Sequence, residues 1–322
     1  MAATLSRLVA RSLAAILLTS ATAAYAQSDL KIIAPAAPGG GWDQTARSMQ
    51  GALMQAGIAR SVQVVNVTGA GGTVGLAQLV NGAKGDATQL MVNGLVMLGA
   101  ILTNKSPVTL DQVTPIARLT GEYLVVVVPT NSPLKSAKDL AEAVKADAAK
   151  VRWAGGSAGG VDHIAAGLFA KAAGADPTKI NYIPFSGGGE ALAALLGGRV
   201  TAGISGYGEF ESQIKAGKLR VLGVTAPKRL PDVDAPTLKE GGVDLDIANW
   251  RSVFGPPGLT SEGRAALLAA IDRMVKSKEW AEVLKQKGWD DAYLPGDAFG
   301  AFLKTEQATV RDTLIAIGLV KS

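Results

Sequence analysis

The chain repeats one arrangement four times, in which a short apolar strand leads into a glycine-rich loop and then a helix. The four loops lie at residues 35–43, 69–72, 155–160 and 185–189. Strands that alternate with helices predict an α/β architecture with mainly parallel sheets. The units fall before Leu124 and again after Ser136, so we predict two sheets rather than one. The run 124–128 (LVVVV) is typical of a strand buried on both faces of a parallel sheet.

The composition is that of a folded, exported chain. Hydrophobic residues make up 48% of the 322 residues and charged residues 18%, which provides a substantial core and argues against disorder. Residues 1–26 combine Arg7 and Arg11 with a short apolar stretch and an A-x-A motif, which predicts a signal peptide cleaved near Ala26. That stretch is shorter than the roughly 20 residues that span a bilayer. We therefore predict a periplasmic mature chain.

Charge and cysteine content exclude several classes of function. The formal net charge is +5, but Lys and Arg are scattered and no basic run is interleaved with aromatic residues, so no nucleic-acid partner is predicted. The chain has no cysteine, which rules out disulfides and thiolate chemistry. With a single histidine and no D-x-D-x-D-G loop, we predict neither a metal site nor a cofactor.

The glycine loops suggest anion binding, because the first turn of a helix presents unpaired backbone N–H groups at the positive end of the helix dipole. Several such loops facing one cleft could hold a carboxylate without Lys or Arg. Glycine is also an ordinary turn residue, and Asp43 and Asp162 have the alternative role of capping their helices. Trp42 and Trp250 either pack in the core or form a wall of the pocket.

An enzyme is not predicted, although residues 155–159 (GGSAG) match the G-x-S-x-G nucleophile elbow. The only histidine, His163, follows Ser157 by six residues, and on one helix that spacing separates the two by about 9 Å of rise. A catalytic triad is therefore excluded. The run 69–75 misses the third glycine of a dinucleotide fingerprint, and no P-loop is present. His163 itself is either a ligand contact or a polar residue at a helix start.

Residues 35–43 (PAAPGGGWD) and the following Thr45-Ala46-Arg47 resemble the opening motif of TctC/Bug-type receptors, the extracytoplasmic solute receptors of tripartite tricarboxylate transporters. The resemblance continues through residues 69–72, 153–160, 182–188, 195–200, 216–220 and 250–258, so it spans the mature chain. It implies a two-lobed periplasmic-binding-protein fold of type II with a ligand cleft between the lobes. Residues 27–125 plus 228–322 would form lobe 1, and residues 126–227 lobe 2.

The resemblance also implies a function, which is the capture of a citrate-like di- or tricarboxylate by a monomer that delivers it to membrane transport subunits. The alternative is a sensor partner of a membrane signalling protein. Arg251, near the last predicted strand, is a candidate counter-charge or a surface residue, and Ser205 departs from relatives that carry an acid nearby. The ligand-binding residues carried over by position are Pro38, Gly39, Gly40, Gly41, Trp42, Asp43, Asn66, Gly71, Asn93, Ser157, Ala158, Gly159, Gly160, Asp162, His163, Phe185, Ser186 and Ser205.

Overall fold

The computed structural model describes residues 29–185, 188–231 and 233–321, so the predicted signal peptide and its cleavage site lie outside the described residues. The described strands are β1 (Asp29–Ala34), β2 (Ser61–Asn66), β3 (Gln89–Gly94), β4 (Thr114–Pro129), β5 (Arg152–Gly155), β6 (Asn181–Pro184), β7 (Ala202–Gly206), β8 (Leu219–Val224), β9 (Ala248–Gly255) and β10 (Asp290–Pro295). The described helices are α1 (Gly41–Gln55), α2 (Thr73–Gly82), α3 (Leu95–Thr103), α4 (Ala137–Ala146), α5 (Val161–Ala172), α6 (Gly188–Leu196), α7 (Tyr207–Lys215), α8 (Ser261–Val275), α9 (Lys278–Lys287) and α10 (Gly296–Ala316).

The described strands form one hydrogen-bonded sheet in the order β2-β1-β3-β9-β4-β7-β5-β6, with β8 and β10 also paired to β4. The long strand β4 joins two halves. Its residues 114–123 pair with β9, and its residues 124–129 pair with β7 and β8. We call β1–β3, β9 and β10 with their helices the first half, and β5–β8 with theirs the second half. The predicted lobe boundary after residue 125 falls inside β4, and both lobe boundaries remain predictions.

The prediction of mainly parallel pairing was wrong, and the two predicted sheets are joined into one through β4. Among the described strands, parallel pairing is confined to β1 with β2 and β3, and to β5 with β6 and β7. Every pairing made by β4 is antiparallel, including those of the run 124–128 with β7 and β8. That run is fully buried as predicted. An apolar run reports burial on both faces, which a central antiparallel strand shares with a parallel one, so it could not reveal strand direction.

Three elements were missing from the sequence prediction: α3, α7 and β10. Helix α3 has no amphipathic pattern because most of it is buried, including Leu95, Met97 and Leu98. Strand β10 is a half-exposed edge strand whose pairing with β4 shifts register between Asp291 and Leu294. Helix α3 and strand β10 therefore lack the periodic pattern of apolar residues on which a sequence prediction rests.

One large apolar cluster extends from the first half through α5 into the second half. In it Phe169 of α5 packs edge-on against Trp153 of β5, with ring centroids 5.2 Å apart. A second cluster lies between the sheet and helices α6 and α7. Within residues 29–185, 188–231 and 233–321, no helix is both long and apolar enough to cross a membrane.

Candidate functional site

A cleft of about 880 Å³ lies between the two halves, where the glycine loops meet. The predicted residues that line it are Pro38, Gly39, Gly40, Gly41, Trp42, Gly71, Ser157, Gly160, Asp162 and Ser205. A smaller adjoining pocket of about 380 Å³ is lined by Ala158 and Phe185, with Gly71 and Ser157 common to both. The structure therefore brings together loops from both halves that are more than 80 residues apart in the sequence.

Five of the other predicted residues do not line the cleft, and the last one, Ser186, lies outside the described residues. Asp43, Asn66, Gly159 and His163 take part in hydrogen bonds that hold the loops. Asn93 is fully buried at the end of β3, where its Oδ1 accepts a hydrogen bond of 2.6 Å from Ser252 Oγ.

Four helices begin at the cleft with a glycine in the capping position. These N-caps are Gly40 of α1, Gly72 of α2, Gly160 of α5 and Gly206 of α7, and none of them has a side chain that accepts from the helix. Away from the cleft, α4, α8 and α9 begin instead with Ser136, Thr260 and Ser277, whose hydroxyls accept backbone N–H bonds. The first-turn donors are thus left without a side-chain cap at the cleft, where a bound anion would find them.

Asp43 holds the first glycine loop in place. Its carboxylate accepts hydrogen bonds from Gly39 N at 2.7 Å, from Asn66 Nδ2 at 2.8 Å and from Arg47 Nε at 3.0 Å. Burial would raise the pKa of Asp43, but these hydrogen bonds outweigh it and hold the pKa below its usual value. Asn66 also donates to Ala36 O at 3.0 Å, so both side chains fix the loop from behind.

Three side chains hold the loop at residues 155–160 in the same manner. Asp162 Oδ2 accepts from Gly156 N at 2.7 Å, and Tyr182 donates its hydroxyl to Gly156 O at 2.8 Å. His163 Nδ1 accepts from Gly159 N at 3.2 Å, and its ring stacks on Tyr182 with centroids 4.0 Å apart. Burial lowers the pKa of His163 to about 4, so the imidazole is neutral at pH 7 and suited to accept this bond.

The cleft also contains charged residues that sequence reasoning missed or left open. Arg251 Nη2 donates to Glu122 Oε1 at 2.7 Å, and both side chains are largely buried. The Arg251 guanidinium lies over the ring of Trp289, 5.0 Å from its centroid. Glu209, in the first turn of α7, accepts a hydrogen bond from the hydroxyl of Ser205. The sequence contained one indication that Glu122 is part of a site: it is an acidic residue close to the apolar run of β4.

Asp162 provides a pH-dependent test of this geometry. Burial, and then the nearby Glu209, raise the pKa of Asp162 from 3.8 to about 7. A raised carboxyl pKa gives stability that is present below pH 3.8 and is lost as the pH rises through about 7. Asp162→Asn keeps an oxygen acceptor without the charge, so we expect it to raise the melting temperature more at pH 8 than at pH 5, where only part of that stability has been lost.

The melting temperatures of the ligand-free wild type and variant at the two pH values check this expectation. Asp176→Asn serves as the control, because hydrogen bonds from Thr178 lower the pKa of this exposed carboxyl and it stays ionised throughout that range. Its effect should be the same at pH 5 and pH 8. An equal effect of Asp162→Asn at both values would contradict the raised pKa of Asp162.

Comparison with known proteins identifies the family. The profile of the tripartite tricarboxylate transporter family receptor (TctC) matches residues 45–319. The chain belongs to this family. It is 28% identical over 287 residues to protein BugT of Bordetella pertussis, which covers 88% of this chain and 87% of BugT.

Two solved structures are similar to this chain in fold. A TctC solute-binding protein from Polaromonas is 28% identical with a TM-score of 0.69, and the match covers 89% of this chain and 98% of that one. MatC from Rhodopseudomonas palustris, solved with bound malate, is 25% identical with a TM-score of 0.76 and coverage of 89% and 99%. These matches confirm the predicted periplasmic-binding-protein fold with two lobes.

The structure does not bring the histidine of the nucleophile-elbow pattern into contact with its serine. His163 Nδ1 accepts from the backbone of the loop, and among the described residues no hydrogen bond joins it to Ser157. Likewise, no group of three or more His, Asp or Glu residues in the described chain is arranged to hold a metal ion.

Proposed function

We propose that this protein is a monomeric periplasmic receptor that captures a small di- or tricarboxylate and delivers it to the membrane subunits of a tripartite tricarboxylate transporter. The supporting observation is the set of four glycine-capped helix starts at one cleft, in contrast to the Ser and Thr caps of α4, α8 and α9. Backbone donors that are fixed in advance bind an anion without the cost of ordering a long side chain. No chemical step is part of this function.

The carboxylate contacts are proposed to come from opposite sides of the cleft. In the first half, the N–H groups of the first turn of α1 would donate to the ligand, with Gly40 and Gly41 allowing its close approach. In the second half, the first turn of α5 and the hydroxyl of Ser157 would do so. Asp43, Asn66, Tyr182 and His163 support these loops from behind, and Phe185 and Ser186 remain predicted contacts of the adjoining pocket.

The family and one relative support the proposed ligand class. Malate is the ligand bound in MatC, and a citrate-like acid is the class predicted from the sequence. A cleft of about 880 Å³ has room for either. Export would follow from cleavage near Ala26, which leaves a mature chain that begins near Gln27.

A thermal-shift screen tests the proposal. The mature protein is unfolded and refolded to remove bound ligand, and then melted with aliphatic and aromatic mono-, di- and tricarboxylates. We expect a few acids to raise the melting temperature, because a ligand at about 100 times its dissociation constant stabilises the native state by about 2.7 kcal/mol. Sodium chloride at equal ionic strength is the control. A flat response to every acid would refute the proposed function.

A further inference from the structure

The charges of the cleft are unevenly distributed. Its described lining contains four acids (Glu122, Asp162, Glu190 and Glu209) but only one base, Arg251. That base already forms an ion pair with Glu122. Acidic side chains thus outnumber basic ones in the lining, which is unexpected for a site that receives an acid with two or three negative charges.

The positive side of the cleft is at the start of α1. The Arg251 guanidinium packs directly against Gly41, since a methyl group added to Gly41 would lie 2.7 Å from Arg251 Nη2. Arg251 is 6% exposed, and among the described residues its one hydrogen bond goes to Glu122. Its remaining N–H groups and the first turn of α1 are therefore available to one carboxylate. Asp43, the acid of that turn, is paired with Arg47 behind the loop.

The negative side is the wall formed by α5 and α7. Asp162 and Glu209 each lie in the first turn of their helix, where their charge offsets the helix dipole. The hydroxyl of Ser205 lies within hydrogen-bonding reach of both acids. Neither acid forms an ion pair within the described chain, and Glu209 is exposed to the cleft. Two acids thus face the ligand volume without a cation in contact with either, although Arg251 lies close enough to Glu209 to act on its charge.

We propose that the ligand carries a cationic group, such as an ammonium, in addition to its carboxylate, and that Glu209 with Asp162 binds this group. The inference rests on the proposed receptor function and on its carboxylate site at the start of α1 beside Arg251, but it revises the ligand class from a di- or tricarboxylate to a carboxylate with a cationic second group. A ligand with opposite charges at its two ends matches the two sides of the cleft. A second or third carboxylate would instead face Glu209 and Asp162, and like charges in a partly desolvated site repel.

Calorimetric titration with matched compounds tests the proposal. For chain lengths of three to six carbons, the mature protein is titrated with the simple monocarboxylate, the α,ω-dicarboxylate and the ω-aminocarboxylate, and also with citrate. We expect an aminocarboxylate to bind at least about tenfold more tightly than the dicarboxylate of equal length, which corresponds to about 1.4 kcal/mol. Dicarboxylates or citrate that bind as tightly or more tightly would overturn this inference and leave the proposed function intact. Absence of binding by any carboxylate would refute both.

The variant Glu209→Gln tests whether Glu209 is responsible for the preference for an aminocarboxylate. It removes the charge but keeps the side-chain length, so the affinity for the aminocarboxylate should fall at least about tenfold, while that for the simple monocarboxylate should not. Glu211→Gln is the matched control, because Glu211 lies on the same helix, outside the cleft lining, and pairs with Lys215. Asp162→Asn provides a second variant with the same expected loss of selectivity. If Glu209→Gln and Asp162→Asn each lower the affinity for the aminocarboxylate and for the simple monocarboxylate by the same factor, the assignment is overturned.

Discussion

Gly99→Ala is expected to weaken carboxylate binding by about tenfold to a hundredfold. Gly99 lies in α3 of the first half, and a methyl group there would overlap the carbonyl oxygen of Gly159 in the second half. The obstacle is backbone, so the loop at residues 155–160 must move away with the residues that line the cleft. Overpacking of this kind costs about 1–3 kcal/mol, and each 1.4 kcal/mol of binding energy is about a factor of ten.

The matched control is Gly51→Ala. Gly51 is also a helix glycine, in α1, but a methyl group added to it would meet no atom within 4 Å. Both substitutions improve helix propensity by about 1 kcal/mol, so only the contact with Gly159 distinguishes them. Titration with the best acid from the screen should show weakened binding for Gly99→Ala alone. Wild-type affinity in Gly99→Ala would show that this contact does not position the loop.

Arg251→Met is expected to destabilise the ligand-free protein by about 3 kcal/mol. The variant leaves Glu122 largely buried without its cation, near the acids of the cleft, and removal of one partner of a buried ion pair typically costs about 3–5 kcal/mol. The lower end of that range applies because Glu122 keeps a hydrogen bond of 3.2 Å from Asn249 Nδ2. Urea-induced unfolding gives the free energy of unfolding for each variant.

A double-mutant cycle with Glu122→Gln separates the ion pair from the packing of the Arg251 side chain. In the Glu122→Gln background, Arg251→Met should cost at least about 1 kcal/mol less than in the wild type, because no unpaired carboxylate remains. Arg60→Met is the surface comparison: Arg60 pairs with Asp29 in solvent, and its loss should change stability little. If Arg251→Met costs the same in both backgrounds, the pair with Glu122 contributes no coupling energy.

The order of strand, glycine loop and helix is local in sequence, and this is why much of the site could be predicted. The loops at 35–43 and 155–160 do border the cleft, and ten of the predicted residues line it. The roles of Asp43 and His163 were harder to assign, because a polar residue in a first turn can face either a ligand or its own loop. Only the structure shows that Asp43 and His163 face their own loops, because Gly39 N and Gly159 N donate hydrogen bonds to them.

The charged part of the cleft could not be predicted in the same manner. Glu122 and Arg251 are 129 residues apart in the chain and meet because β4 and β9 are adjacent and antiparallel. That pairing, and hence the ion pair, cannot be inferred from a sequence that predicts parallel strands. Glu209 was missed with its helix, since α7 was not predicted. The acids that now bear on ligand choice therefore come from the elements with the weakest local signal.

Strand β4 has a further consequence for how such a receptor can change over evolutionary time. The same strand completes the hydrogen bonding of the first half through residues 114–123 and of the second half through residues 124–129. A recombination point near residue 125 would join the two portions of this one strand from different parents, and any mismatch in their register would displace one half relative to the other. The halves are thus not interchangeable modules, and new ligand preferences are expected to arise by substitutions around the cleft rather than by exchange of a half between relatives.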